Sequence, residues 1–347
     1  MKKVFAVSLA VMMLVLTACG GGASSTAPAS SAAPSASSAV ENKPVTLIFS
    51  IAAVPTDAHG QAQKVFKDTV EKVSNGNITV ECYDSGTLFN QDTETAAVIA
   101  GDCDIIYSSA SWLTTNSPWI SMFTAGYIFK SYDHMTKTLN GDIGKEVFSK
   151  IAQEQGILPL GAFYLGTRQI SLGADKHIKT PADLNGINLR MPNSDAWVFL
   201  GTAMGANPTP IPFNDLYLAL STNTVDGQDN PLPTVQNAKF YEVQKSVSIT
   251  NHLVDSVWPT INKAKWDSLT PEQQGWVMQG VEAARKHCDE TNLKTESEVV
   301  EFLKSQGLKV YEADVDAFAD AVLAKYLEND ISKSWDMALF EKVKAQG

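Results

Sequence analysis

Residues 45–107 read VTLIFSIAAVPTDAHGQAQKVFKDTVEKVSNGNITVECYDSGTLFNQDTETAAVIAGDCDIIY, and the spacing of their apolar residues sets the fold class. Val45 to Ile51 is a short, mostly apolar run of the length of a buried strand. Gly60 to Ser74 puts Ala62, Val65, Phe66, Val70 and Val73 on one helical face, and Asn75-Gly76 stops that helix. Ile78 to Tyr83 reads as a second strand, Thr93 to Ala100 as a helix and Cys103 to Tyr107 as a third strand. Strands joined by helical crossovers predict a largely parallel sheet. Outward from this unit the same alternation returns in a strand Ile157 to Tyr164, a strand Ile187 to Met191, helices Ala196 to Met204 and Asp215 to Ser221, and strands near Val247 and Val257. A second α/β lobe is therefore expected. Thr270-Pro271-Glu272 supplies a cap, a first-turn proline and an acid for a helix running to about Gln306, read as a scaffold. Val310 to Ala313 returns as a strand, and two terminal helices present Phe318, Val322 and Leu323, then Trp335, Leu339 and Val343, as apolar faces.

The 347 residues are enough for two lobes, and 44% hydrophobic with 19% charged residues excludes a chain disordered throughout or a multi-span membrane protein. Lys and Arg total 27 against 38 Asp and Glu, a net charge of -11, which argues against nucleic acid as a partner. An anionic ligand would need local positive groups. The cysteines at 19, 82, 103 and 288 form no CxxC pair and no zinc spacing.

The N-terminus reads as an address. Lys2 and Lys3 precede the apolar run Val4 to Leu16, which is too short to span a bilayer and typical of a signal peptide. Leu16-Thr17-Ala18-Cys19 resembles the lipobox of bacterial lipoproteins, which implies cleavage after residue 18, acylation of Cys19 and an extracytoplasmic protein anchored to the bacterial membrane. Gly20 to Lys43 is Gly, Ala, Ser and Pro with little else, a flexible tether whose r.m.s. reach is roughly 27 Å. The remaining Cys82, Cys103 and Cys288 read as small buried hydrophobes.

No GxSxG, HExxH, GxGxxG or Walker A sequence occurs, and no two of the five histidines stand four residues apart. Asp226, Asp229 and Asn230 in VDGQDNPLP could offer oxygen ligands to a cation, but such residues also favour turns. The arginines are more telling, being only three: Arg168, Arg190 and Arg285. Strand alternation over Ile187-Asn188-Leu189-Arg190-Met191 sets Arg190 opposite the apolar face. A guanidinium there fits bidentate capture of an organic carboxylate, or a structural ion pair with an Asp or Glu.

Arg190 lies in KTPADLNGINLRMPNSDAWVFLGTAMGANPTPIPFNDLYLALSTNTVDGQDNPLPTVQNAKFYEVQKSVSITNH, residues 179–252, which resembles the DctP-type solute-binding proteins of TRAP transporters. The likeness continues through FKDTVEKVSNGNITVECYDSGTLFNQDTETAAVIAGDCDI and INKAKWDSLTPEQQ, covering most of Val45 to about Ala284. It implies a two-lobed, type II-like periplasmic-binding-protein fold with a long helix crossing both lobes: lobe I from residues 44–165 plus about 254–347, lobe II from 166–253. It implies no enzyme and no cofactor, but an organic acid captured in the inter-lobe cleft and passed to membrane permease subunits. By the same resemblance, Arg190 makes the carboxylate salt bridge, Asn230 contacts that carboxylate, Phe213 lines the pocket and Arg168 supports the ligand directly or through water. Asn193 and His252 fall where some members have outer supporting groups. The rest of the ligand is read by the loop Ala53 to His59, the segment at Gln91 and Asp92, and the exit Tyr107 to Trp112. Ser109 aligns where sialic-acid-binding relatives carry Glu, which speaks against sialic acid, and the small hydroxyls of that exit, YSSASW, with Trp112 nearby suit a mono- or dicarboxylate, one with an apolar or aromatic tail included. The rival readings are a ligand sensor for a signalling receptor and a lipoprotein enzyme acting on organic acids.

Overall fold

The structure, a computed structural model, describes residues 42–347; the expected leader, Cys19 and nearly all of the tether lie outside the described residues. Among the described residues there are ten strands: β1 (Val45–Ser50), β2 (Ile78–Tyr83), β3 (Ile105–Ser108), β4 (Ile157–Pro159), β5 (Phe163–Leu172), β6 (Asn188–Met191), β7 (Asn207–Pro210), β8 (Gly227–Pro231), β9 (Ser246–Asn262) and β10 (Lys309–Glu312). They form one sheet in the order β2-β1-β3-β9-β5-β8-β6-β7, with β10 and β4 also on β9. The opening residues behave as their spacing predicts: β2-β1-β3 is parallel, and its crossovers are the helices Ala58–Val73 and Glu94–Ala100. β6 is likewise parallel to β7 and β8.

The two halves are joined by β5 and β9, which run antiparallel to each other from Phe163↔Val257 to Leu172↔Ser246. Both are longer than expected. The single strand expected over Ile157 to Tyr164 is two, β4 and the first residues of β5, and β5 runs on to Leu172 through Gly166-Thr167-Arg168-Gln169, which breaks the apolar run. The strands placed near Val247 and Val257 are one strand of 17 residues. Asn251, with φ 45°, interrupts the local pattern, but pairing with β5 carries β9 through it. Register shifts between Tyr164 and Gly166 and between Arg168 and Ile170 re-aim the side chains there, as bulges do. A Cβ on Gly166, at φ 127°, would stand 2.6 Å from Pro231 Cβ.

β8 is the larger correction. Its sequence, Gly227-Gln228-Asp229-Asn230-Pro231, has the composition of a turn, yet all five residues are buried between β5 and β6. The Asp226 and Asp229 carboxylates are not left for a cation, since they accept from the Asn188 backbone N–H and from Arg168. Among the described residues no group of three His, Cys, Asp or Glu is placed to hold a metal ion.

The helix Pro271–Ser305 begins with the Thr270/Gln273 capping box and is about 50 Å long. Its first half packs Val277, Val281, Ala284 and Cys288 into the core under β2-β1-β3, and Val299 and Leu303 near its end join a separate core with Leu216, Val235, Phe240 and Val247. It thus ties together cores from the two ends of the sheet. Cys103 and Cys288 are buried and Cys82 half-buried, all as free thiols, and burial pushes Cys82 up to about 11 and Cys103 to about 12.

Gly280 marks where this helix crosses Ala58–Val73: a Cβ there would come within 2.4 Å of Val70 Cγ2 and 3.0 Å of Phe66 Cδ2. Gly275, on the same helix, would meet nothing within 4 Å. In urea titrations, Gly280→Ala should cost about 1–2 kcal/mol after its helix-propensity gain, whereas Gly275→Ala should stabilise by up to about 1 kcal/mol. Equal effects would mean that the helices do not pack at Gly280.

Candidate functional site

A cavity of about 660 Å³, counting its mouth, is lined from both ends of the sheet: Ala53, Asp57, Gln91, Glu94, Tyr107 and Ser109 on one side, Arg168, Arg190, Phe213 and Asn230 on the other, with Trp112 and Trp197 among its aromatic walls. Of the residues singled out in the sequence, Arg190, Asn230, Arg168, Phe213, Gln91 and Ser109 are brought together here. Asn193 and His252 are not: Asn193 is exposed in a neighbouring outer groove, and His252 is buried behind Asp229.

Arg190 follows from strand alternation. Leu189 and Met191 are fully buried in the core, and the side chain between them turns the other way. Arg190 is itself only 1% exposed. Its Nε donates to the Ile211 carbonyl at 2.8 Å, while Nη2 is buried without a protein partner. Burial pushes its pKa down to about 9 although Asp229 favours the charge, so the cation is held with less than full compensation.

Arg168 is the opposite case. From β5, between the two register shifts, it reaches both neighbouring strands: Nε and Nη2 donate to the Asp229 carboxylate at 2.7 and 3.1 Å, and Nη1 to Asp255 at 2.9 Å. Nη2 also meets the Asp229 carbonyl at 2.6 Å and Asn230 Oδ1 at 3.3 Å, and the guanidinium lies 4.4 Å from the Trp197 ring centroid. Burial opposes the charge, but the two carboxylates outweigh it and hold Arg168 more firmly protonated than usual. Burial likewise opposes the Asp229 carboxylate, which Arg168 and His252 nevertheless keep well below the ordinary range. His252 Nε2 lies 3.1 Å from Asp229 Oδ2, and burial keeps that imidazole below its normal pKa. Because the carboxylate can only accept, Nε2 carries the proton, leaving Nδ1 to accept from Thr250 at 2.8 Å. The ion-pair reading thus describes Arg168, and Arg190 keeps unspent donors.

Asn230 is held from two directions, Nδ2 donating to Gln228 Oε1 and Oδ1 accepting from Arg168. Phe213 opens the helix Phe213–Ser221, half-buried, with its ring edge-on to Phe240 at 5.9 Å. Its backbone N–H donates to Gln91 Oε1 at 3.0 Å; Asn214 donates to the Ser85 carbonyl at 3.1 Å and Asn193 to Asp92 at 3.2 Å. Segment 85–92 is therefore laced across the cleft. Ser109 shares a 2.8 Å hydrogen bond with Ser111, which accepts from Trp197 Nε1.

Sequence reasoning passed over Glu94 and did not single out Asp57. Glu94 was detectable, because with Ala97 and Val98 it makes the i, i+3, i+4 set of the buried face of its helix. Asp57 precedes the helix Ala58–Val73 at the capping position, yet its side chain makes no cap hydrogen bond.

The pattern of the bacterial extracellular solute-binding protein family 7, DctP, matches residues 49–331. The chain belongs to this family. It is 31% identical over 289 residues to the sialic acid-binding periplasmic protein SiaP of Vibrio cholerae, covering 83% of this chain and 89% of that one. It is 30% identical to the 2,3-diketo-L-gulonate-binding periplasmic protein YiaO of Escherichia coli, covering 80% and 84%. Among solved structures, a TRAP periplasmic solute-binding protein from Roseobacter denitrificans with bound 3-deoxy-D-manno-oct-2-ulosonic acid superposes with a TM-score of 0.83 at 40% identity, covering 88% of this chain and all of that one. A second protein of that organism, with bound L-galactonate, gives 0.80 at 27% identity, covering 88% and 99%. The DctP relatives are extracytoplasmic substrate-binding proteins with two α/β lobes, not enzymes.

Proposed function

We propose that this DctP protein captures an organic acid in the cavity, its carboxylate held by Arg190 and Asn230, and delivers it to the membrane subunits of a TRAP permease from an anchor at acylated Cys19. The observation that carries the reading is Arg190 itself: a buried guanidinium on the cavity wall with Nη2 unpartnered, where an incoming carboxylate supplies both hydrogen-bond acceptors and countercharge. Arg168 serves as the positioning residue, holding Asn230 through its amide oxygen. Phe213 and Trp112 flank the ligand. The ligands named for the relatives above, sialic acid, 2,3-diketo-L-gulonate, 3-deoxy-D-manno-oct-2-ulosonic acid and L-galactonate, all carry a carboxylate, and we assign this chain an organic acid on that ground.

The lobe boundaries that fit this reading are residues 44–165 plus about 254–347, and 166–253, hinged where β5 and β9 cross between them. In the closed form the bonds from Gln91, Ser85 and Asp92 to Phe213, Asn214 and Asn193 add to those the ligand makes. Only such closed-state contacts bias the open-closed equilibrium.

Thermal-shift measurements on the chain from about Val40, against mono-, di-, keto- and sugar acids with their matched amides, test the clamp. A binding acid at 100 times its Kd stabilises the fold by about 2.7 kcal/mol, and its amide should do far less. Amides that shift melting as far as their acids, or a panel in which no acid shifts it, would count against the clamp.

A further inference from the structure

Among the described residues ten buried side-chain polar atoms lack a hydrogen-bond partner, and four of them line this one cavity: Arg190 Nη2, Asp57 Oδ2, Glu94 Oε2 and Tyr107 Oη. Buried polar groups are normally satisfied, so such clustering marks a surface built to meet a ligand. The last three come from the β2-β1-β3 side, facing the cavity from the half of the sheet that does not carry Arg190. Asp57 is 2% exposed and forgoes the cap its position offers; Glu94 is 3% exposed and Tyr107 4%. Burial pushes Asp57 up to about 7, although the Asn237 side chain acts the other way, and Glu94 well above its ordinary value.

The chemistry of this wall discriminates among occupants. An alkyl tail would leave Asp57 Oδ2, Glu94 Oε2 and Tyr107 Oη unpaired, and a second carboxylate only accepts, so it would offer the Asp57 and Glu94 oxygens no donor and would be repelled wherever either is ionised. An ammonium only donates, so the Tyr107 O–H would still lack an acceptor. An alcohol accepts from Tyr107 or a protonated carboxyl and donates to a carboxyl oxygen with the same atom pair. Among the described residues no group of three His, Cys, Asp or Glu is placed to bring a metal ion to this wall.

We propose that Asp57, Glu94 and Tyr107 are the residues that select a polyhydroxylated acid, hydrogen-bonding its alcohol groups while Arg190 holds the carboxylate. This rests on the clamp reading above and narrows the organic acid, turning it away from dicarboxylates and apolar-tailed acids.

Calorimetric titration at neutral pH would use 3-deoxy-D-manno-oct-2-ulosonate, L-galactonate and D-gluconate as hydroxylated probes, with hexanoate, adipate and 6-aminohexanoate as comparators. At least one hydroxylated acid should bind about 100-fold or more tightly than every comparator. Glu94→Leu should cut that preference about tenfold or more while changing hexanoate binding less than about threefold, and Tyr107→Phe, which removes one oxygen from an otherwise unchanged ring, should cut it several-fold. Asp57→Asn should act in the same direction. The proposal is overturned if adipate or 6-aminohexanoate is the tightest ligand, if no hydroxylated acid binds, or if Glu94→Leu and Tyr107→Phe both keep the wild-type preference. The clamp fails separately if Arg190→Ala binds every probe as the wild type does.

Discussion

Arg190→Ala loses at least about 100-fold in affinity for the bound acid, roughly 3 kcal/mol, while the ligand-free protein melts at the same temperature or higher. The first half follows from removing a charge-assisted, desolvated contact that Lys-like point charges do not reproduce. The second half follows from the apo state of the guanidinium. Burial already opposes its charge, pushing the pKa down to about 9, and Nη2 has no partner to offset that cost. Deleting the group therefore removes an unfavourable term from the fold. Titration calorimetry and a melting curve on the same preparation read both halves. Unchanged affinity would displace Arg190 from the centre of the site, and a large drop in melting temperature would make it a structural residue.

Arg168→Ala is expected to behave in the reverse way. It strands the Asp229 carboxylate and leaves Asp255 beside it without its Nη1 donor, and breaking such a buried set by removing one member costs about 3–5 kcal/mol. For a chain of this size that is a fall in melting temperature on the order of 10 °C. The loss should depend on pH with a definite sign. Without Arg168, both buried carboxyls take folded-state pKa values above their unfolded ones. Their protonated forms then favour the fold at low pH, and the variant's deficit grows as pH rises through those values. Melting curves from pH 4 to pH 8 should diverge from wild type towards the alkaline end. A deficit constant across that range would mean that the carboxylates are satisfied by other groups. Lysine at 168 restores the charge without the two-pronged geometry, so Arg168→Lys should recover only part of the loss.

These opposite expectations for two arginines 22 positions apart could not be assigned from the residues around them. Alternation of Leu189 and Met191 with Arg190 placed that side chain off the apolar face, and the structure agrees. Nothing local to Arg168 revealed that its countercharges are Asp229 and Asp255, 61 and 87 residues further along. Glu94 does not stand out in the sequence because an acid in the first turn of a helix is ordinarily a surface residue favoured by the helix dipole. Its burial arises from the packing of that short helix beside the cavity. The sequence of β8 misleads for a related reason: Gly, Asp, Asn and Pro have turn propensity, but ladder bonds to β5 and β6 and the Arg168 ion pair override it.

What local periodicity and punctuation can encode was therefore present in the chain alone: the parallel β2-β1-β3 unit, the capped 35-residue helix, and the direction of the Arg190 side chain. All three rest on short-range signals, written within one or two turns of helix or a few strand residues. The length of β5 and β9, the burial of a polar strand, and which guanidinium is spent and which is free depend on pairing across tens of residues. Whether a buried charge is satisfied is settled by the groups that folding carries to it, and these are distant in sequence.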